Sequence, residues 1–130
     1  MKIIWFLVFF VTTVNIVSAQ DSHDEINKFI DNWHQAAGRA DAIAFFGSMD
    51  EQAVYIGTDA TERWTKTEFV LFAKPYFDKG KAWDFKPYDR ELHVTSDAKM
   101  VWFSELLSTW MGVCRGSGIL AMTPQGWKIQ

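Results

Sequence analysis

The chain has a single cysteine, three prolines and three histidines among 130 residues. One thiol cannot form an internal disulfide, and so few soft ligands exclude a zinc module. Thirteen basic residues against sixteen acidic ones give a net charge of −3, the wrong sign for a nucleic-acid binder. The usual chemical signatures are also missing, with no G-x-S-x-G elbow, G-x-G-x-x-G turn, phosphate loop, H-E-x-x-H or paired C-x-x-C. That leaves acid-base chemistry open, because it needs only one or two ionisable groups in a dry pocket. Rings are what the chain has in excess. Seven Trp and eleven Phe exceed what a core of this size requires, so part of the ring surface is expected at a cavity or an interface.

The first residues read as an address. Lys2 precedes an apolar run from Ile3 to Val11, which is interrupted by Thr12, Thr13 and Asn15 and ends in Val17-Ser18-Ala19. The run is too short for the roughly 20 residues of a spanning helix. Residues 1–19 are therefore expected to be a signal peptide cleaved after Ala19, leaving residues 20–130 as one periplasmic or secreted domain without stable membrane insertion. Cys114, flanked by apolar residues, reads as a small buried hydrophobe.

Ser22-His23-Asp24-Glu25 has the form of a capping box and predicts a helix start. Ile26, Phe29, Ile30, Trp33, Ala37 and Ala40 then recur at helical spacing. Asp41 is placed to cap a short second helix closed by Gly47. Ala53 to Ile56 predicts a brief strand, and Thr65-Lys66-Thr67-Glu68 starts a third helix in which Pro75 implies a kink or a non-α final turn. From Trp83 the period becomes two. Trp83 and Phe85 differ in parity from Leu92 and Val94, which predicts a bulge near Pro87. Strands are expected from Met100 to Leu107, from Val113 to Met122 and from Trp127 onward. The fold class is α+β, with three N-terminal helices packed on a strongly bent antiparallel sheet that forms a cone.

Several segments resemble the SnoaL-like group of the nuclear transport factor 2-like superfamily. They are Trp33-His34-Gln35-Ala36-Ala37 with Ala40-Asp41, Tyr55 to Asp59 with Glu62-Arg63-Trp64, Trp102-Phe103-Ser104-Glu105, Cys114 to Gly118, and Gly126 to Ile129. The resemblance implies the cone fold, frequent pairing of domains through their sheets, and a last strand running past Gln130. It implies no single chemistry, because such domains serve as isomerase-like and dehydratase-like enzymes, cyclases and protein-association modules.

Charged residues inside apolar strands are the strongest residue-level signal. Arg90 shares parity with Leu92 and Val94, and Glu105 with Val101, Phe103 and Leu107. A turn near Trp110 would set Glu105 opposite Arg115 or its neighbour, so that one carboxylate meets two guanidinium groups. That reads either as a structural network or as a net positive site for a carboxylate, enolate or carbonyl. In the second case Glu105 and His34 are the catalytic candidates. Arg90, Arg115, Trp33, Tyr55, Trp64 and Trp102 are then ligand-binding, with no metal and no cofactor. His93 alternates with Leu92 and Val94 and so faces away from the core. Gly116-Ser117-Gly118 reads as a place of close packing. The leading expectation is a small, partly apolar ligand in the cone, and the sequence does not decide whether it is turned over. The rival is a non-catalytic association module. Met100, Trp102 and Leu106 oppose Val101, Phe103 and Leu107, and helices can cover only one face, so a homodimer through the sheet is expected in either case.

Overall fold

A computed structural model describes the chain from Ala19 to Gln130, with side chains from Ser22. The expected leader and its membrane behaviour therefore fall outside the described residues, except for the backbone of Ala19. The first helix, α1, spans Ala19–Gly38 and so begins before the cap-like Ser22. Ala19 and Gln20 are good helix formers, and nothing in their chemistry stops the helix at Ser22.

The short α2 (Ala42–Gly47) is capped as expected, Asp41 Oδ1 accepting the Ala44 N–H at 3.0 Å. After it come β1 (Val54–Ile56) and β2 (Arg63–Thr65), an antiparallel pair in which Tyr55 lies opposite Trp64. β2 escapes detection in the sequence because three residues between a turn and a helix cap show no period. Glu62 closes the intervening loop by accepting the Thr58 and Asp59 N–H groups at 2.8 and 3.2 Å. The third helix, α3 (Lys66–Asp78), has the Thr65–Glu68 capping box in full, and its final turn is α-helical, which removes the non-α turn from the two alternatives that Pro75 implied. The carbonyl that Pro75 deprives of a donor belongs to Leu71, an exposed residue.

The chain then runs through β3 (Lys86–Val94), β4 (Met100–Thr109), β5 (Gly112–Thr123) and β6 (Gly126–Ile129), which form one antiparallel sheet in sequence order. Tyr88 pairs with Leu106 and Glu91 with Ser104, so two residues of β3, Asp89 and Arg90, stand against Glu105 alone. This is the bulge that the parity conflict requires, two residues beyond Pro87, with Asp89 in a left-handed conformation at φ 49°.

The helices lie on one face of the sheet. Ile26 and Ile30 of α1 pack with Val101, Phe103, Leu120 and Trp127. The far half of α1, through Ala36 and Ala37, joins α2, α3 and β1 in a second core rich in rings. Phe69 is its centre, stacked on Tyr55 at 3.8 Å and on Trp64 at 5.8 Å, while Phe45 stacks on Trp33 at 4.9 Å. The free side of β6 is covered by the segment after α2, where the Asp50 N–H bonds to the Ile129 carbonyl at 2.7 Å.

Small residues in β5 make the sheet's inner surface possible. A methyl group on Gly118 would come within 2.8 Å of the Phe103 ring, and one on Gly116 within 3.1 Å of Leu107. Their role is room for neighbours, and the Gly116-Ser117-Gly118 run lies wholly inside a strand with no helix after it.

Candidate functional site

Glu105 is the only buried charged residue among those described, with 1% of its surface exposed. Its parity with Val101, Phe103 and Leu107 aims it beneath α1, where an unpaired charge would cost several kcal/mol. The chain supplies partners from two directions. From the bulge, Arg90 Nε donates to Glu105 Oε2 at 2.7 Å; from α1, His34 Nε2 lies 2.6 Å from Oε1. Three of the four remaining guanidinium hydrogens are also used. Nη2 meets Asp31 Oδ1 at 2.7 Å, and Nη1 meets the Asn27 carbonyl and side-chain oxygens, each at 3.1 Å. The Arg90 and His34 side chains are 9% and 11% exposed, so the cluster is dry except at Asp31.

Burial, the largest single influence on Glu105, pushes its carboxyl pKa up. The hydrogen bonds and charges of His34 and Arg90 together outweigh it and hold the group below its ordinary value. An ionised Glu105 can only accept, so Nε2 of His34 carries a hydrogen and donates it. The carboxylate thereby fixes the orientation of the His34 ring.

Of the residues singled out in the sequence, His34, Arg90 and Glu105 converge, and Trp33 adjoins them with its ring 5.2 Å from that of His34. The others do not. Arg115 lies opposite Leu106 on the outer face of β5 and is exposed, because the two-residue turn at Trp110-Met111 sets Glu105 against Gly116 instead. Trp102 also faces outward, 52% exposed. Tyr55 and Trp64 are stacked on Phe69 and Phe72 within the ring core rather than around Glu105. Burial, with the nearby Glu62 charge, raises the pKa of the Tyr55 hydroxyl and keeps it neutral. Asn27 and Asp31 were not expected, although their spacing to His34 on α1 puts all three on one helical face. With Arg115 absent and Asp31 present, the cluster holds two carboxylates and one guanidinium. It is therefore not the net positive anion site that two arginines would make.

Two surface hollows, of about 330 and 230 Å³, lie elsewhere; the first runs between Lys28, Phe29 and Trp127, the second between Lys66 and Leu71. Among the described residues no three His, Cys, Asp or Glu side chains gather as metal ligands. No helix among the described residues is long and apolar enough to cross a membrane.

The family model of the SnoaL-like domain matches residues 26–130. The chain belongs to the SnoaL-like family. Solved structures share the fold at low identity. A nuclear transport factor 2-like protein of unknown function from Pseudomonas putida superposes with a TM-score of 0.69 at 12% identity, covering 85% of this chain and 83% of that one. A putative dehydratase from the same superfamily in Streptomyces avermitilis gives 0.68 at 11% identity, covering 86% and 93%. The association domain of C. elegans CaMKII gives 0.65 at 13%, covering 85% and 92%. No curated protein matches the sequence. At these identities the likeness establishes the fold, and the SnoaL-like domain's work must be argued from its own surfaces.

The depressed carboxyl fixes a pH dependence. Because the folded pKa of Glu105 lies below its unfolded value, its stabilising contribution is complete above the unfolded pKa and is lost as pH falls through the folded one. Glu105→Gln is expected to lower stability at pH 7 by about 3 kcal/mol and to flatten the acid limb of the stability curve. Urea unfolding at pH 7, 5 and 3 measures both, and an unchanged acid limb would show that Glu105 is not the titrating group.

Proposed function

We propose that this SnoaL-like domain is an exported self-association module in which two copies pack the outer faces of their sheets together. One observation carries the reading. With α1 covering the inner face, Tyr88, Met100, Trp102, Val113 and Ile119 all remain exposed on the other side. The strand register sets Trp102 directly between His93 and Ile119 with Met100 in the next row, so these residues form one patch, which the row of Glu91, Ser104 and Ser117 separates from Tyr88 and Val113. Monomers seldom leave such a surface in water.

A second copy of the chain is the occupant that the charges favour. Glu91 lies on the β3 side of the patch and Arg115 on the β5 side, one row of residues apart. A two-fold axis parallel to β4 carries the partner's β3 over β5, which brings opposite charges together at both rims. The CaMKII domain of the same fold is named for association, which agrees with this use of the scaffold. Export rests on the short apolar run from Ile3 to Val11 and the Val17-Ser18-Ala19 ending. Protein recovered from the exported fraction should begin at Gln20 by intact mass and sediment as a dimer at micromolar concentration. Trp102→Glu should give a folded monomer. A wild-type chain that stays monomeric would sink the association reading, and a full-length species held in membranes would sink export.

A second reading, a small ligand engaged by His34, has one observation in its favour. The Trp33 N–H beside His34 is buried without a hydrogen-bond partner, a deficit that a ligand oxygen would relieve. Native mass spectrometry of protein from its own host should then show an adduct that His34→Phe removes. A clean apo mass in both would count against it.

A further inference from the structure

The outer face carries one ionisable ring at the centre of its apolar patch. His93 lies directly opposite Trp102 on the β3–β4 ladder, and the two rings are stacked at 3.6 Å and 9°. In a single domain the imidazole is about half exposed, with 45% of its side chain in contact with solvent. A second copy seated on Trp102 would cover that remainder. We propose that His93 makes the sheet-to-sheet contact sensitive to mild acid, neutral imidazole permitting association and protonated imidazole releasing it. This rests on the association reading and adds its regulation.

The argument is one of desolvation. Histidine is the side chain whose charge changes between pH 5 and 8. Neutral, the ring is a flat, weakly polar disc that extends the Trp102 surface. Protonated, it would bring one charge from each copy into a contact that excludes water, and buried charges are tolerated only when paired. The structure offers little to pair it. On its own strand Glu91 Oε2 stands 4.0 Å from Nε2, but that carboxylate is 75% exposed and screened. Facing His93 from β4 are Trp102, Met100 and Ser104, and beyond them on β5 Ile119 and Ser117, none of which carries charge. Arg115 lies further along β5, beside Leu106, and like the protonated ring it is cationic. Attraction between an imidazolium and the Trp102 face operates in the separate domain as well as in the pair, so it does not offset the lost water. Protons therefore bind the separated form better, and by linkage acid must favour separation.

A merely structural histidine behaves differently. If His93 served only to hold Trp102 in place, its protonation would leave the monomer–dimer equilibrium unmoved, whereas the present arrangement couples the two. Sedimentation equilibrium at pH 8 and pH 5 tests this on wild type and on His93→Phe, which keeps a flat ring over Trp102 and removes the titration. Far-UV circular dichroism at both values confirms that each remains folded. Wild type should show a dimer at pH 8 and a dissociation constant at least about tenfold weaker at pH 5, while His93→Phe should dimerise equally at both. A wild-type dimer indifferent to pH, or a His93→Phe dimer that still weakens in acid, would overturn the inference and leave the association reading standing. A monomer at pH 8 would overturn both.

Discussion

A single buried ion pair, Arg90 with Glu105, organises the molecule. It exists because a bulge in β3 sets two residues against one, turning Arg90 toward the carboxylate of the facing strand. The same guanidinium continues to Asn27 and Asp31, so the sheet and α1 are joined through one side chain. A bond of this kind adds little net stability compared with a well-packed apolar substitute. Its value lies in specification, because this placement of α1 lets one guanidinium reach Glu105, Asn27 and Asp31 together. Sliding the helix by one residue would rotate Asn27, Asp31 and His34 off the site together.

Much of this is legible in the amino-acid sequence. The parity conflict between Trp83 and Leu92 demanded a bulge, and charges at core-facing positions demanded partners. Arg90 and Glu105 followed from those two rules. Arg115 was misplaced because register depends on turn length, and the difference between a turn centred on Trp110 and one using both Trp110 and Met111 moves a strand by one residue. That single step carried Arg115 to the opposite face and put Gly116 in its place. Asp31 was overlooked although its helical spacing to His34 was visible, because a carboxylate next to an apolar stripe reads equally well as solvated. Tyr55 and Trp64 show the limit of composition. The rings were in excess as expected, but stacking on Phe69 and Phe72 absorbed these two, and such pairings depend on three-dimensional approach that no periodicity encodes.

Placing α1 on one face determines what the other face must do. The inner surface is completed by α1 and by glycines that let Phe103 and Leu107 settle against β5, whereas the outer surface keeps Trp102 and its neighbours uncovered. The polar cluster and the apolar patch are thus two sides of one strand, β4, alternating residue by residue. Function on this scaffold follows from which side is used. A closed polar cluster suits a structural anchor that also holds the His34 ring in place, and an open aromatic face suits contact with another sheet.

The most direct measurement is a double-mutant cycle on Arg90→Met and Glu105→Leu, followed by urea unfolding at pH 7. If the pair anchors the fold, each single replacement removes the buried partner of a charge and costs about 3–5 kcal/mol, while the double replacement costs far less than their sum, with a coupling of about 2 kcal/mol or more. Losses that add to within about 0.5 kcal/mol would show two independent side chains, and would contradict the claim that this interaction sets α1 on the sheet.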